Sequence, residues 1–503
     1  MRQDYALKNI KYAVITYCIT YLLKFLLRTT FVIALPIEYL GINSLLSDVI
    51  ILLSVTEMGI GTAIGYSLYK PLNEKDIYTI KAIMNVLKKA YYCIGSFILI
   101  FGLGITPFLD FFVKNNTILE LKYYFILFLL TDALGYFFSY KWILLVADQK
   151  QFIYNYYHCI FLSILTILQI IFLLVTKSYW SFVLLMFGIR LVENFFISKK
   201  TENLYPYLKE LGNETLDKDI KISIIKNTGA LILNKMAIII NSTSANIIIS
   251  KYIGLTIVGL YSNYMLIVNA IDAFCTQIFK GLVASIGNML IGDSKENKLR
   301  NFAFTFFISA WIACFIINFM FIGLSDFIFL WLGSKFVMDK HIIFCILVIF
   351  YINYMQNVVR TFKESAGLYW HERYRPIVES FFNIFLSICL IKDYGIIGVL
   401  IGGIISRLLT SFWFEPYILF KYTLPLNLKS YFKNYLRYTF IILIVVLINK
   451  LIFDYWTVDT TIVFLFFKLL IVFIIANIVW FLIFKNTKEM NYLKSFLKAK
   501  FLS

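Results

Sequence analysis

Eleven ionisable residues interrupt long apolar runs: Lys24, Arg28, Arg190, Lys235, Arg407 and Lys468 are basic, and Glu57, Asp132, Glu193, Asp272 and Glu379 are acidic. A charge inside hydrocarbon is costly, so such groups pair with one another or face a ligand or a wet cavity. Lys24 and Arg28 are four residues apart and share one helical face. With Glu57 at a similar depth they have two readings. One is a cationic wall for an anionic substrate, with Glu57 tuning it or carrying a proton. The other is a structural ion pair between neighbouring helices. Arg190 and Glu193, three apart, read as neutralising each other. Asn353, Asn357 and Arg360 recur at i, i+4 and i+7, with Gln356 beside them. That stripe suits sugar hydroxyls or phosphate, and equally suits hydrogen bonding between helices. Asn227, Asn234 and Asn241 repeat every seven residues beside Lys235 and carry the same two readings. Arg407 follows Gly398, Gly402, Gly403 and Ser406, small residues suited to close helix packing. Lys468 either faces the other half of the protein or snorkels to the membrane surface.

Other chemistries find little support. The seven cysteines all fall in apolar runs and form no CxxC pair, and the three histidines are scattered, so no metal site or disulfide scaffold is expected. The glycines of Gly59-Ile60-Gly61-Thr62-Ala63-Ile64-Gly65 lie inside an apolar run and lack the G-x-G-x-x-G spacing, which reads as a packing or flexible site. Asp217-Lys218-Asp219 matches a glycosyltransferase D-x-D, a very short pattern, and no Walker A sequence is present. The chain is not expected to be an enzyme or to use a cofactor.

The elements holding these residues follow from composition. The chain has 503 residues, 60% of them hydrophobic and 15% charged, and a mean hydropathy of +0.79. A soluble domain carries about 45–50% apolar and about 25% charged residues, and disorder needs low hydrophobicity; both are excluded. About 20 apolar residues cross a bilayer. Fourteen spans are expected, at 12–35, 44–69, 90–109, 123–146, 152–175, 180–198, 223–249, 256–281, 302–330, 342–362, 376–391, 396–420, 437–453 and 460–484. The first lacks a small-residue cleavage site and is read as an uncleaved span. The net charge of +18 suits a membrane protein better than a nucleic-acid partner. With the N-terminus cytoplasmic, 33 of the 47 Lys and Arg fall in cytoplasmic segments and 8 in outer ones. Both termini are therefore expected inside. Within 488–503, Met490, Leu493, Leu497 and Phe501 share a face, so this tail is expected along the inner membrane surface.

Tyr39-Leu40-Gly41-Ile42 is echoed by Tyr252-Ile253-Gly254-Leu255, 213 residues on. The echo divides the chain into an N-lobe (1–198, six spans), a connection (199–222), a C-lobe (223–421, six spans), two added spans (422–487) and the tail (488–503). Two lobes in pseudo-two-fold repeat with a site between them is transporter architecture.

Three blocks then carry a resemblance. The first is Glu38-Tyr39-Leu40-Gly41-Ile42-Asn43, with Glu57-Met58-Gly59-Ile60-Gly61 and Tyr69-Lys70-Pro71-Leu72. The second is Asn246-Ile247-Ile248-Ile249-Ser250-Lys251-Tyr252-Ile253-Gly254, with Val258-Gly259-Leu260-Tyr261-Ser262. The third is Ala366-Gly367-Leu368-Tyr369-Trp370, with Arg373-Tyr374-Arg375-Pro376, Gly395-Ile396-Ile397-Gly398 and Glu415-Pro416-Tyr417. Together they resemble the polysaccharide-transport family, the Wzx-like flippases of the multidrug/oligosaccharidyl-lipid/polysaccharide (MOP) exporter superfamily. The resemblance implies two six-helix lobes around a cavity, two further helices, and a bacterial cytoplasmic-membrane location. It implies export of undecaprenyl-diphosphate-linked oligosaccharide units from the inner to the outer leaflet for surface polysaccharide, beside a polymerase and other assembly proteins and within membrane lipid. Arg28 matches a basic position of the family's first span, and Glu57 its Glu-x-Gly motif. One departure is that Ser244-Ala245 stand before Asn246, where the family commonly has an acidic residue.

The expected substrate contacts are Lys24, Arg28, Lys235, Asn353, Asn357, Arg360 and Arg407. The carboxylates expected to couple transport to H⁺ or Na⁺ are Glu57, Asp132 and Asp272. The competing readings are a cation-coupled multidrug exporter, a lipid II flippase, a membrane-embedded polymerase or glycosyltransferase, and a non-transporting scaffold.

Overall fold

The computed structural model describes residues 2–57, 60–114, 118–210, 212, 214, 218–454, 456 and 461–501, with backbone alone over 218–234 and at a few other positions. It is all-α: no strand occurs among the described residues. The chain forms two compact units, Met1–Gly259 and Leu260–Ser503.

The first unit holds α1 (Arg2–Ala34), α2 (Ile37–Leu53), α3 (Ile60–Glu74), α4 (Ile77–Ile105), α5 (Leu121–Ser139), α6 (Trp142–Ala147), α7 (Gln151–Thr176), α8 (Tyr179–Leu204), α9 (Lys218–Tyr252) and the first residues of α10 (Leu255–Gly292). Here α1 runs along α7, α7 and α5 flank α8, α4 packs on α5, and α9 lies against α2 and α3. Tyr124, Tyr179, Phe31 and Phe182 knit the centre edge to face, Tyr124 and Tyr179 at 4.7 Å and 84°.

The second unit holds the rest of α10, α11 (Lys295–Leu332), α12 (Lys340–Ser365), α13 (Arg375–Leu409), α14 (Ser411–Tyr422), α15 (Leu428–Asp454), α16 (Ile462–Phe484) and α17 (Lys488–Phe501). α11 is its spine, touching α12, α15, α16 and α17. Lipid gives helices no hydrophobic reason to associate, so polar pairs and shape hold them. Asn449 donates to Asn318 (3.0 Å), Trp311 to Asn477 (3.2 Å), and Lys468 pairs with Asp326 (2.7 Å). Lys468 thus has a carboxylate partner on α11, rather than a free route to the surface or the other half of the chain. At the tail Met490 is buried and Tyr492 packs on Phe304 at 4.9 Å, so α17 begins docked on α11.

Among the described residues, eleven helical segments are long and apolar enough to cross a membrane. The differences from the fourteen expected spans are local. The span expected at 44–69 is broken: α2 ends at Leu53, a 3₁₀ turn covers Ser54–Glu57, and α3 starts at Ile60. Ser, Val, Thr and Gly there are weak helix formers, and the break leaves two helices too short to count singly. The span expected at 223–249 lies in α9, which is not among the eleven. The spans expected at 376–391 and 396–420 belong to one long segment, 370–422. It turns at Gly395, whose φ of 58° and ψ of −138° suit glycine. The halves on either side fold back in tight contact, and a Cβ on Gly402 would meet the Ser387 amide nitrogen at 2.7 Å.

The echo is also a contact. A Cβ on Gly41 would strike the carbonyl of Leu255, and a Cβ on Gly259 would strike the carbonyl of Ile37 at 2.6 Å. Thr256 donates to Glu38 across the same crossing (2.9 Å). The reciprocal pairs set Ile37 against Leu255 and Gly41 against Gly259, an offset of 218 beside the echo's 213.

Candidate functional site

The break between α2 and α3 places Glu57 where backbone and side chain both leave the helical pattern. Its carboxylate accepts from the Tyr91 hydroxyl (2.8 Å) and the Tyr136 hydroxyl (3.3 Å). Asp132 on α5 accepts from Ser54 (2.5 Å), the first residue of the 3₁₀ turn. Among the described residues neither carboxylate forms an ion pair. Tyr91 and Tyr136 stand 5.8 Å apart by ring centre, so aromatic packing fixes both phenols. Two cavities meet at Glu57. One of about 440 Å³ is lined by Glu57, Asp132, Tyr136, Trp142, Arg190 and Asn194, and the other, about 260 Å³, by Glu57, Tyr66, Tyr69, Tyr91, Trp142 and Lys235.

On α1, Lys24 feels the charges of Arg28 and Arg190 and sits 5.1 Å from the Tyr21 ring. Arg190 pairs with Glu193 (2.9 Å), as the spacing implies. Glu193 also contacts His158 Nδ1 at 2.6 Å, and His158 stacks on Tyr154. In the first unit Lys24 thus lies within electrostatic range of Arg28 and Arg190. The unit separately gathers Glu57, Asp132 and Lys235 around the break. Arg190 also stands in the wall of the larger cavity, a position that helix spacing does not reveal.

In the second unit, Asn353, Asn357 and Arg360 keep their stripe on α12. Asn353 accepts from Arg407 Nε (3.3 Å), and Asn357 makes no side-chain hydrogen bond among the described residues. Arg407 also donates to the Gly403 carbonyl (2.7 Å). Arg360 donates to Gln356 and to both carboxylate oxygens of Glu415. Asp272 on α10 feels the charge of Arg360, and Arg407 feels those of Glu379 and Arg360. Arg360 is thus part of a buried ion cluster that the sequence reading missed. Arg375 pairs with Glu372, Glu379 and Glu415, and Lys363 with Glu372 and Glu415. The side chains of Asn227 and Asn234, and the Asp217-Lys218-Asp219 motif, lie outside the described residues.

Asp48, inside the expected second span, also escaped notice. It accepts from Asn246 Nδ2 (2.6 Å), while Asn246 Oδ1 is buried and unsatisfied. The carboxylate beside Asn246 therefore comes across a helix interface, from α2, instead of from the preceding residue. Outside the membrane, the Thr79 hydroxyl and then the Thr79 N–H hold the Asp76 carboxyl below its ordinary range. The His341 N–H and then its ring do the same for Asp339.

No family model matches the sequence, and no curated protein matches it. Solved structures do match. The lipid II flippase MurJ in an inward closed conformation is 13% identical, covers 95% of this chain and 99% of its own, and superposes with a TM-score of 0.68. An inward-facing multidrug resistance MATE family transporter of the MOP superfamily is 13% identical, covers 79% of this chain and 93% of its own, and gives 0.59. A Vibrio cholerae MATE transporter is 12% identical, covers 84% and 97%, and gives 0.57. At such identities the likeness is one of fold. This chain is a multi-pass, all-helical membrane protein with the fold seen in those solved structures.

Proposed function

We propose that the protein is a flippase that moves an undecaprenyl-diphosphate-linked oligosaccharide from the inner to the outer leaflet of a bacterial cytoplasmic membrane. The observation that carries this reading is the gathering of Lys24, Arg28 and Arg190 by α1 and α8. Arg190 is answered by Glu193, and basic groups gathered on one side of a membrane unit suit a visiting anion. A diphosphate has the matching charge, and its own passage through hydrocarbon would cost many kcal/mol. The lysine and arginines offset that desolvation, arginine through paired N–H donors suited to phosphate. In the second unit the polar stripe of Asn353, Asn357, Arg360 and Arg407 suits glycan hydroxyls. The polyprenyl tail stays in lipid. Transport then follows alternating access, driven by H⁺ or Na⁺ at Glu57, Asp132 or Asp272. Glu57 and Asp132, close together without a cation between them, are the leading pair. The fold likeness to the lipid II flippase supports a lipid-linked substrate.

The second reading is export of an organic cation, favoured by the carboxylate and tyrosines of the Glu57 cavity and by the fold likeness to multidrug transporters. The test begins in cells. Deletion of the gene should cause undecaprenyl-diphosphate carrying a complete repeat unit to accumulate, read by mass spectrometry of membrane lipids, with less surface polysaccharide and unchanged drug sensitivity. Drug hypersensitivity without accumulation would instead establish the second reading. Reconstituted protein with Glu57→Gln, Asp132→Asn and Asp272→Asn, assayed singly under imposed pH or Na⁺ gradients, tests the coupling. Unchanged gradient dependence in all three would remove it.

A further inference from the structure

The smaller cavity at Glu57 has a lining that phosphate recognition does not explain. Tyr66 and Tyr69 on α3 are 64% and 50% exposed, with ring centres 5.7 Å apart and planes at 86°. Trp142 closes another side, held by stacking on Tyr154 at 4.8 Å and 25°. Gly61 and Gly65, one turn apart, also line it; a Cβ on Gly61 would sit 2.8 Å from the Tyr91 hydroxyl. The polar groups are the Glu57 carboxylate, fixed by two phenols, and Lys235. A carboxylate has about four acceptor sites, so Glu57 keeps capacity for further donors.

We propose that this cavity is a carbohydrate subsite, with a sugar ring laid on Tyr66 or Tyr69 and its hydroxyls shared between Glu57 and Lys235. The proposal rests on the flippase reading and names where the first unit takes the glycan. A pyranose offers an apolar C–H face and a rim of hydroxyls. Tyrosine offers a flat apolar body and a polar tip, and a carboxylate beside an ammonium offers both acceptor and donor. A polyprenyl chain would leave Glu57 and Lys235 buried against hydrocarbon, a costly arrangement. An organic cation would gain from the rings and Glu57 but meet Lys235. The volume of about 260 Å³ falls just under the range for a drug-sized ligand, roughly 300–1,000 Å³, which suits one sugar ring better than an oligosaccharide. Tyr66 and Tyr69 also precede the turn at Lys75-Asp76, on the side that the basic-residue count assigns to the cytoplasm, where substrate would load.

The test uses the full-length protein in nanodiscs with three probes: undecaprenyl diphosphate, the same lipid bearing one N-acetylhexosamine, and tetraphenylphosphonium. Both tyrosines are half exposed or more, so Tyr66→Ala with Tyr69→Ala leaves the core intact. This double variant is expected to weaken binding of the sugar-bearing lipid about tenfold and to leave the bare lipid within about twofold. Tyr66→Phe with Tyr69→Phe keeps the rings and should restore it. Equal weakening of both lipids, or of neither, overturns the subsite while leaving the flippase reading standing. Loss of tetraphenylphosphonium binding with sugar-lipid binding unchanged also overturns it, assigning the cavity to organic cations. Failure of wild-type protein to bind either lipid overturns the flippase reading and the subsite with it.

Discussion

At the scale of single residues, the proposed function divides the polar groups of the membrane interior into those that hold the structure and those that serve the substrate. Asp48 belongs to the first kind. Replacing it by alanine strips Asn246 of its acceptor and leaves a buried amide with neither end paired. The expected cost is about 1–3 kcal/mol, read as a lower melting temperature in nanodiscs, and Asp48→Asn should recover part of it. An unchanged melting temperature in the alanine variant would show that water already serves Asn246. Arg28 belongs to the second kind. Arg28→Gln should reduce flipping of a diphosphate lipid tenfold or more, about 1.4 kcal/mol or above, with little change in melting temperature, because it removes a like charge beside Lys24. A large loss of stability with transport intact would make Arg28 structural. Arg28 and Glu57 were legible from residue type and apolar context alone. Asp48 was not: its meaning depends on α9 crossing α2, a contact between positions 198 apart in sequence.

At the scale of elements, the ends and breaks of helices carry the testable content. Glu415 is fully buried and receives Arg360, Lys363 and Arg375 from α12 and the start of α13. Removing one partner from a buried network costs about 3–5 kcal/mol, since the remaining charges stay buried. Glu415→Ala should therefore unfold the second unit at markedly lower temperature, visible as reduced protease resistance around 360–420. The sequence shows Glu415-Pro416-Tyr417 as a motif but not its partners, because the three elements meet only after the chain turns at Gly395. The broken second span has a similar lesson. A hydropathy window reads 44–69 as one helix, since Ser54, Thr56 and Gly59 barely lower its average. Their weak helix propensity acts locally, at the position where Glu57 is presented. Outside the membrane, Asp76 caps α4 by accepting from the Thr79 hydroxyl (2.5 Å) and N–H (3.1 Å). These bonds favour the charged form, so its folded pKa lies below the ordinary 3.8. The stabilisation is full above that ordinary value and is lost as pH falls through the lower folded one. Amide protection at Thr79 should hold from neutral pH to about pH 4 and drop only below it; a decline near pH 6 would contradict the cap.

At the scale of the whole molecule, Ile37–Gly41 and Leu255–Gly259 cross reciprocally within the first unit. The four-residue echo lies 213 residues apart, whereas the contact sets Ile37 against Leu255 and Gly41 against Gly259, 218 apart. In so apolar a composition a short identity is weak evidence of register, whereas close backbone approach demands glycine at defined positions. This makes the two glycines equivalent in a way that can be measured. Each faces the carbonyl of its counterpart's helix, at Leu255 for Gly41 and Ile37 for Gly259. Gly41→Ala and Gly259→Ala should therefore both destabilise, each by about 1–3 kcal/mol from overpacking. The double variant should cost less than the sum, because the first substitution already pushes the helices apart and residues in contact are not additive. Thermal unfolding of the four proteins in one nanodisc preparation supplies the cycle. If one substitution is tolerated and the other is not, the crossing is an asymmetric packing accident. Matched losses with sub-additive coupling would instead make it one reciprocal crossing, set by two glycines 218 residues apart.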